Sequence, residues 1–463
     1  ATLQRRASKM HGSSKTVTLI EFQRLRSDRT FQFSNCPDGW KSISDAGYVE
    51  LREFILEAAA SGVEVMKLSS RAGRESLVAQ NYVGVVTTRS GSTVEILPKV
   101  CPDESPADAR VEFASAALKR MLPALRGGAF RNLGRAELAT ERMPLFELFV
   151  SMFVEEVERV VRAGLRSGYS VVDGNERFLR GKLLLDEDMR RNPIDKSRVF
   201  VRHSTFDLNR PENRLVKGAL VKLNGRSSSE SNRRRIRRLL GLMEEVPLPS
   251  DVASDIGRLQ KDRETACYGH AVEWACIFLE GRTFTSFQGR TVSEALLFPM
   301  EKVFEDYVPF ALRREMWRDE TKGWELATQV GGHYLFDSPK NECPLRPDMV
   351  LKTGNDRPVV LDTKWKIMDY DDARPTGGDM YQMYAYGKSF NASQVVLVYP
   401  TADPKRAGWG RDIPYHVPGA PEFKVRVFRY DVGIDPTPDK SPAWDLMRGI
   451  AEDAKQAAGA KSE

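Results

Sequence analysis

The stretch RPDMVLKTGNDRPVVLDTKWK, residues 346–366, holds two short apolar runs separated by Gly354-Asn355-Asp356. A turn of that composition between β-branched runs reads as a strand pair. Its charges are harder to place. Val359, Val360 and Leu361 belong in a buried strand, yet Asp362 and Lys364 follow directly, and Asp348 opens the first run. A central strand that takes up charge has to pair it or use it. Side chains two apart on a strand share a face, so Asp362 and Lys364 point the same way, and Asp348 starts the adjacent strand. Two carboxylates and an amine can therefore converge on one point. The alternatives are a surface hairpin with scattered charges and a metal-dependent phosphodiesterase centre.

Outward from this pair, the chain gives a clear order of elements. A helix is predicted over 293–316, then a strand over 324–330, with HYLF (333–336) as an optional extension beyond it, followed by the pair at 348–352 and 358–366. A helix over 379–390 leads to a strand at 394–400, and a last strand at 423–430 follows a Gly/Pro-rich loop. Helix, three strands, helix and strand describe a mixed sheet carrying helices. Residues 290–435 are read as this domain, and 436–463 as a C-terminal tail. At the other end, TVTLIEF (16–22) reads as a strand and VELREFILEAAASG (49–62) as a helix closed by glycine. VGVVTTR (83–89) and STVEILPK (92–99) read as a hairpin turning at Ser-Gly. Residues 16–105 thus form a strand-rich N-terminal domain. Between the two, 106–289 are read as mainly helical, with long amphipathic patterns at 107–125, 144–165, 211–225 and 264–281. The fold class expected is α+β and multidomain.

A chain of 463 residues holds roughly three domains of ordinary size. Charged residues at 29% and hydrophobic ones at 41% are ordinary for a globular protein, and no apolar run is long enough to span a membrane. The first 15 residues are polar and basic without an apolar centre, which reads as a disordered tail rather than a secretory signal. Five cysteines without a C-x-x-C pair point to a reducing compartment, the cytoplasm, and away from zinc or iron–sulfur sites. A net charge of +6 is compatible with a nucleic-acid partner without demanding one. The charge is concentrated in SNRRRIRRLL (231–240), where Arg233, Arg234, Arg235, Arg237 and Arg238 are candidate DNA contacts; a solvated helix face is the competing reading.

Carboxylate oxygens are hard ligands suited to Mg²⁺, with Mn²⁺ as a substitute, and such a site tolerates one or two protein acids beside several waters. Asp348 and Asp362 are the expected metal ligands, with the Thr363 backbone carbonyl as a third and its side chain facing the other way. Lys364 would hold the attacking water or a phosphate oxygen. Gln382 and Tyr386, four apart on the following helix, share a face and can reach the same point, unless they serve only packing. Glu305, between Phe304 and Tyr307 on the preceding helix, is a further candidate for metal support, with solvated charge as its ordinary alternative. No nucleotide is expected on this chain. Gly387-Lys388-Ser389 has Gln382 where a phosphate loop needs its first glycine, and Gly181-Lys182 is followed by Leu183 in place of Ser or Thr.

Pro347-Asp348…Asp362-x-Lys364, in this order of elements, resembles the PD-(D/E)xK nuclease superfamily. More closely, VEILPKV (94–100), RFLRGKL (177–183), NRLVKGAL (213–220) and MEKVFEDYV (300–308) resemble the McrC family of McrBC modification-dependent (5-methylcytosine) restriction systems. That resemblance implies an endonuclease subunit cleaving double-stranded DNA with modified bases. It also implies an AAA+ GTPase ring of the McrB type as partner, docked through the N-terminal part of this chain and stimulated by it. Two other functions fit parts of the sequence. A non-catalytic activator of such a ring would have no use for an intact acid, acid and lysine. A free-standing RecB-like repair nuclease would leave the long N-terminal regions without a job.

Overall fold

The computed structural model describes residues 16–31, 40–71, 74–101, 105–124, 144–259, 268–280, 292–336, 338, 340–354, 357–368, 374–410, 415–417, 420–437 and 439–459. The expected tail 1–15 and the tip of the 354–356 turn lie outside them. The chain divides into two compact units, one made of Ala1–Arg142, Arg290–Ser293 and Leu297–Glu463, the other of Met143–Gly289 and Glu294–Leu296. The strand-rich N-terminal region and the C-terminal sheet therefore belong to a single unit. Among the described residues no helix is long and apolar enough to cross a membrane.

In chain order the first unit opens with β1 (Thr16–Ile20), β2 (Arg24–Ser27) and β3 (Trp40–Ile43). Helix α1 (Asp45–Ala60) starts at Ser44, whose hydroxyl accepts from the Gly47 N–H, and it stops just before Gly62, which adopts φ +80 as a helix terminus favours. Next come β4 (Met66–Arg71), β5 (Arg74–Ala79), β6 (Tyr82–Thr88) and β7 (Thr93–Leu97). The expected hairpin is β6–β7, turning at Gly91 with φ +87. The hairpin is part of a sheet: β7 pairs in parallel with β1, and Val83, Val85, Val86, Val94 and Ile96 are all buried. A ribbon with apolar residues on both faces gains more by packing inside a sheet than by standing in water. Helix α2 (Ala107–Met121) completes this region.

The second unit holds α3 (Leu145–Ala163), whose Phe149 and Phe153 are fully buried against Trp274 and Phe278. It also contains a sheet that the helical reading omitted: β8 (Gly168–Glu176), β9 (Lys182–Leu183), the short helix α4 (Leu185–Arg191) and β10 (Val199–Asp207). β8 and β10 pair antiparallel over nine residues each. β8 buries none of its side chains and so lacks the in–out alternation by which a half-buried strand is recognised, while β10 alternates only over 201–204. Helices α5 (Pro211–Asn224), α6 (Glu230–Leu242), α7 (Val252–Gly257) and α8 (Gly269–Glu280) follow.

The helix predicted to start at 293 begins later. Residues 292–299 are strand β11 (Val292–Pro299), and α9 (Met300–Glu315) follows it. Ala295, Leu296, Leu297 and Phe298 are all buried, and such a short continuous apolar run does not distinguish strand from helix. Beyond α9 come β12 (Glu325–Thr328), β13 (His333–Phe336), β14 (Glu342–Leu345), β15 (Met349–Lys352), β16 (Val359–Thr363), α10 (Gly377–Ser389), β17 (Gln394–Thr401), β18 (Gly408–Trp409), β19 (Tyr415–Val417), β20 (Ala420–Asp431) and α11 (Pro442–Gly459). A 7-stranded sheet takes the order β12-β15-β16-β17-β20-β18, with β19 also paired to β20. β15 and β16 are antiparallel, while β16, β17 and β20 run parallel. Helix α10 is the crossover between β16 and β17, which a parallel neighbour requires. It packs Met383, Tyr386 and Phe390 on Val360, Val395, Leu397 and Tyr399. Phe304 and Tyr307 of α9 meet Tyr430 on the opposite face.

Most of the expected C-terminal tail is α11. Leu446, Met447 and Ile450 are fully buried, and Asp453 pairs with Lys424 (3.0 Å) and with Arg426. Replacing Leu446 with Ala should therefore cost about 2–5 kcal/mol of stability. Denaturant unfolding of the full chain measures it, and a cost near zero would show α11 to be dispensable.

Candidate active site

Asp348 stands one residue before β15, and Asp362 is the fourth residue of β16. The register Met349↔Leu361 places them side by side at the same end of the strand pair. β15 has ended there, so the Thr363 N–H finds no strand partner and donates instead to Asp348 Oδ2 at 2.7 Å. The Thr363 hydroxyl donates to the same oxygen at 2.6 Å. Its side chain thus does not turn idly away, as strand alternation implied; it fixes Asp348.

Asp362 is 2% exposed. Its pKa is raised to about 7, by burial first and by the neighbouring Asp348 next, with Lys364 working in the opposite direction. Lys364 Nζ lies 2.6 Å from Asp362 Oδ2. That contact is an ion pair without the direction of a hydrogen bond, so Oδ2 keeps accepting capacity. Lys364 Nζ also donates to Gln382 Oε1 at 2.9 Å, Gln382 Nε2 to the Tyr386 hydroxyl at 2.8 Å, and that hydroxyl to the Arg346 carbonyl at 3.2 Å. Gln382 and Tyr386 thus hold the lysine and return the chain of bonds to the backbone just before Asp348. Burial pushes the Tyr386 phenol up to about 12, which keeps it a neutral donor.

Glu305 sits on the same cavity. Burial raises its pKa, while Lys302 at 2.9 Å lowers it. Gln329 Nε2 also donates to it. The cavity, about 390 Å³, is lined by Glu305, Arg346, Asp348, Asp362, Thr363, Lys364, Gln382 and Tyr386, joined by Phe22, Asn81, Lys99, Glu301, Trp365 and Lys366. Among the described residues no cluster of three or more His, Cys, Asp or Glu side chains forms a ready metal cage. Two adjacent carboxylates with unused lone pairs fit a cation that keeps its own water, as Mg²⁺ does, better than one needing a closed shell.

Several cavity residues escaped the sequence reading. Lys366 continues the alternation of Asp362 and Lys364, and it binds Asp379 at 2.8 and 2.9 Å. Burial disfavours the Asp379 charge, but Lys366 and Thr376 hold its pKa below the usual range. Glu21, next after β1, is buried and accepts from the Lys99 N–H (2.7 Å) and from Trp365 Nε1 (3.1 Å). A charged residue directly after an apolar strand, in TVTLIEF and in VEILPK, was the available signal. The arginine run belongs to the second unit. Arg235 is tied to Glu158 at 3.0 and 3.1 Å, and Arg233 to Glu230 at 2.8 Å. Arg237 lies 3.8 Å from Glu230, and Arg234, Arg237 and Arg238 are exposed.

The sequence model of a family described as McrBC 5-methylcytosine restriction system component matches residues 77–400. A chain of the half-complex from the tetradecameric assembly of Thermococcus gammatolerans McrB AAA+ hexamers with bound McrC shares the fold, at TM-score 0.61 and 18% identity; the match covers 94% of this chain and 100% of that one. A chain of the Thermococcus gammatolerans McrBC complex matches at TM-score 0.43 and 18% identity, over 65% of this chain and 88% of that one. No curated protein matches.

Burial raises the Glu21 pKa from 4.5 to about 7, with Lys99 opposing. A carboxyl raised by folding stabilises the fold fully below its unfolded value, and that stability is lost as pH climbs through the folded one. The loss is about 3 kcal/mol between those limits. Melting followed from about pH 5 to about pH 8 should fall less steeply for Glu21→Gln than for the unaltered chain. Equal slopes would remove Glu21 as the source.

Proposed function

This chain belongs to the family of McrBC 5-methylcytosine restriction system components, and on that premise we propose that it is the DNA-cutting subunit of such a system. In this reading the 7-stranded sheet is a PD-(D/E)xK core, the reaction is Mg²⁺-dependent endonucleolytic hydrolysis, and the setting is the cytoplasm. The observation that carries it is the convergence of Asp348, Asp362 and Lys364 in one cavity, with Lys364 anchored through Gln382 and Tyr386. Asp348, Asp362 and the Thr363 carbonyl would hold the metal. When bound there, Mg²⁺ lowers the pKa of a water and offsets charge on the scissile phosphate. Asp362 would serve as ligand in its ionised form, and Thr363 keeps Asp348 oriented. Lys364 then holds its ammonium toward the phosphate, where negative charge builds up in the transition state. Glu305 stands by as an outer carboxylate. The arginines left exposed on α6, Arg234, Arg237 and Arg238, offer charge to the DNA backbone.

Two features weigh against the other functions. A pure activator needs neither Asp362 nor the bonds that hold Lys364. A free-standing repair nuclease does not explain the second unit, whose ribbon carries unusual apolar exposure. Tyr169 and Ile194 are 81% and 92% exposed, and Phe178, Leu179, Leu185, Met189 and Phe206 are exposed as well. Such a concentration of apolar side chains marks an interaction surface. The solved assembly with the shared fold contains McrB AAA+ hexamers with bound McrC. We therefore place docking of an AAA+ GTPase ring on this ribbon, since the β6–β7 hairpin is buried in its own sheet.

Asp362→Asn should abolish cleavage of 5-methylcytosine plasmid in the presence of the ring while leaving stimulation of its GTPase unchanged. Mg²⁺ or Mn²⁺ should support cutting by the unaltered chain, and Ca²⁺ should bind without catalysis. Near-normal cutting by the Asn variant, or full cutting in excess chelator, sinks the assigned chemistry. For the ribbon, the double change Phe178→Ser and Ile194→Ser should leave melting unchanged and abolish GTPase stimulation. Full stimulation would return docking to the N-terminal region.

A further inference from the structure

Four cationic side chains line the cavity: Lys99, Arg346, Lys364 and Lys366. Lys364 is paired with Asp362 and Lys366 with Asp379. Lys99 comes from the far end of the chain, two residues past β7, and among the described residues its ammonium has no carboxylate within ion-pair distance. Its one hydrogen bond goes to the Trp365 carbonyl at 3.2 Å, which leaves two of three N–H donors unused. The ammonium stands 5.0 Å from the Phe22 ring centre and 5.9 Å from that of Trp365. These faces restrict where it can go and attract its charge.

What holds Lys99 is also what leaves its charge available. Glu21 and Glu301 are the nearby acids, but the Glu21 carboxylate accepts from the Lys99 backbone N–H and the Trp365 indole, and that of Glu301 from Asn81, not from the ammonium. The lysine is therefore positioned without being neutralised. Burial lowers its pKa, against the pull of Glu21 and Glu301. A half-buried ammonium with spare donors, facing a polar cavity, is suited to an anion that brings oxygen acceptors. Resting on the nuclease reading above, we infer that Lys99 contacts a phosphate of bound DNA next to the scissile bond. The site then draws one of its cations from the N-terminal sheet, and Trp365, two residues past Thr363, links that cation to the metal-binding strand.

The test uses the full chain with its GTPase ring and a plasmid carrying 5-methylcytosine. Lys99→Gln should slow cleavage on the order of a hundredfold, the usual effect of removing one preorganised charge. GTPase stimulation and melting should stay as in the unaltered chain, and Lys99→Arg should cut within a few-fold of it. Normal cutting by Lys99→Gln overturns the inference. So does parallel loss of cutting, GTPase stimulation and melting, which would make Lys99 a structural support for Trp365. An Arg variant as defective as the Gln variant overturns the role of charge. Failure of the unaltered chain to cut is a separate result, and it strikes the nuclease reading itself.

Discussion

A carboxylate at the buried end of β16 needs a cation, and most of the C-terminal sheet is arranged to supply one. Leaving Asp362 charged and alone would cost several kcal/mol. Lys364 meets it at 2.6 Å, and the lysine in turn needs Gln382 to hold it. Gln382 can do so only because α10 crosses from β16 to the parallel strand β17 and lies over that face. The crossover is set at its start by Thr376 and Asp379, which cap α10 reciprocally. Asp379 also receives Lys366 and, at 3.3 Å, the Tyr399 hydroxyl. One buried charge thus governs strand register, helix placement and the cap.

The opposite face of β16 carries a second dependence. Thr363 and Trp365 alternate with Asp362 and Lys364, so they turn toward α9, where Trp365 packs on Phe304 with ring centres 5.5 Å apart. The indole N–H then needs an acceptor in an apolar setting, and Glu21 provides it. The N-terminal and C-terminal sheets are accordingly joined by polar bonds to residues flanking the same strand.

The heart of this arrangement was legible in 346–366. Alternation put Asp362 and Lys364 together, and the short connection brought Asp348 beside them. Strand β13 and helix α10 also fell close to their predicted positions, because each has a clear period or a turn signal at its ends. Three things could not be read. Residues 292–299 are apolar on all sides, so period could not separate β11 from a helix. β8 has no buried side chain and lacks the alternation of a half-buried strand. Glu21 and Lys99 are brought to Trp365 by packing across more than 260 residues of chain, and no local pattern carries such a pairing. The direction of the Thr363 hydroxyl was missed because alternation describes strand interiors, whereas Thr363 lies where its partner strand has run out.

The Glu21–Trp365 bond also limits how such a core could be inherited. A segment carrying only the 7-stranded sheet would keep Asp348, Asp362 and Lys364, yet its Trp365 indole would face an empty space. A buried donor without an acceptor costs about 1–3 kcal/mol, and the strand end that carries the two acids would bear that cost. Recombination that moved the C-terminal sheet into a new protein would have to bring β1 and β7 with it or replace Trp365. The two sheets are consequently tied together, although more than 220 residues of sequence separate β7 from β12.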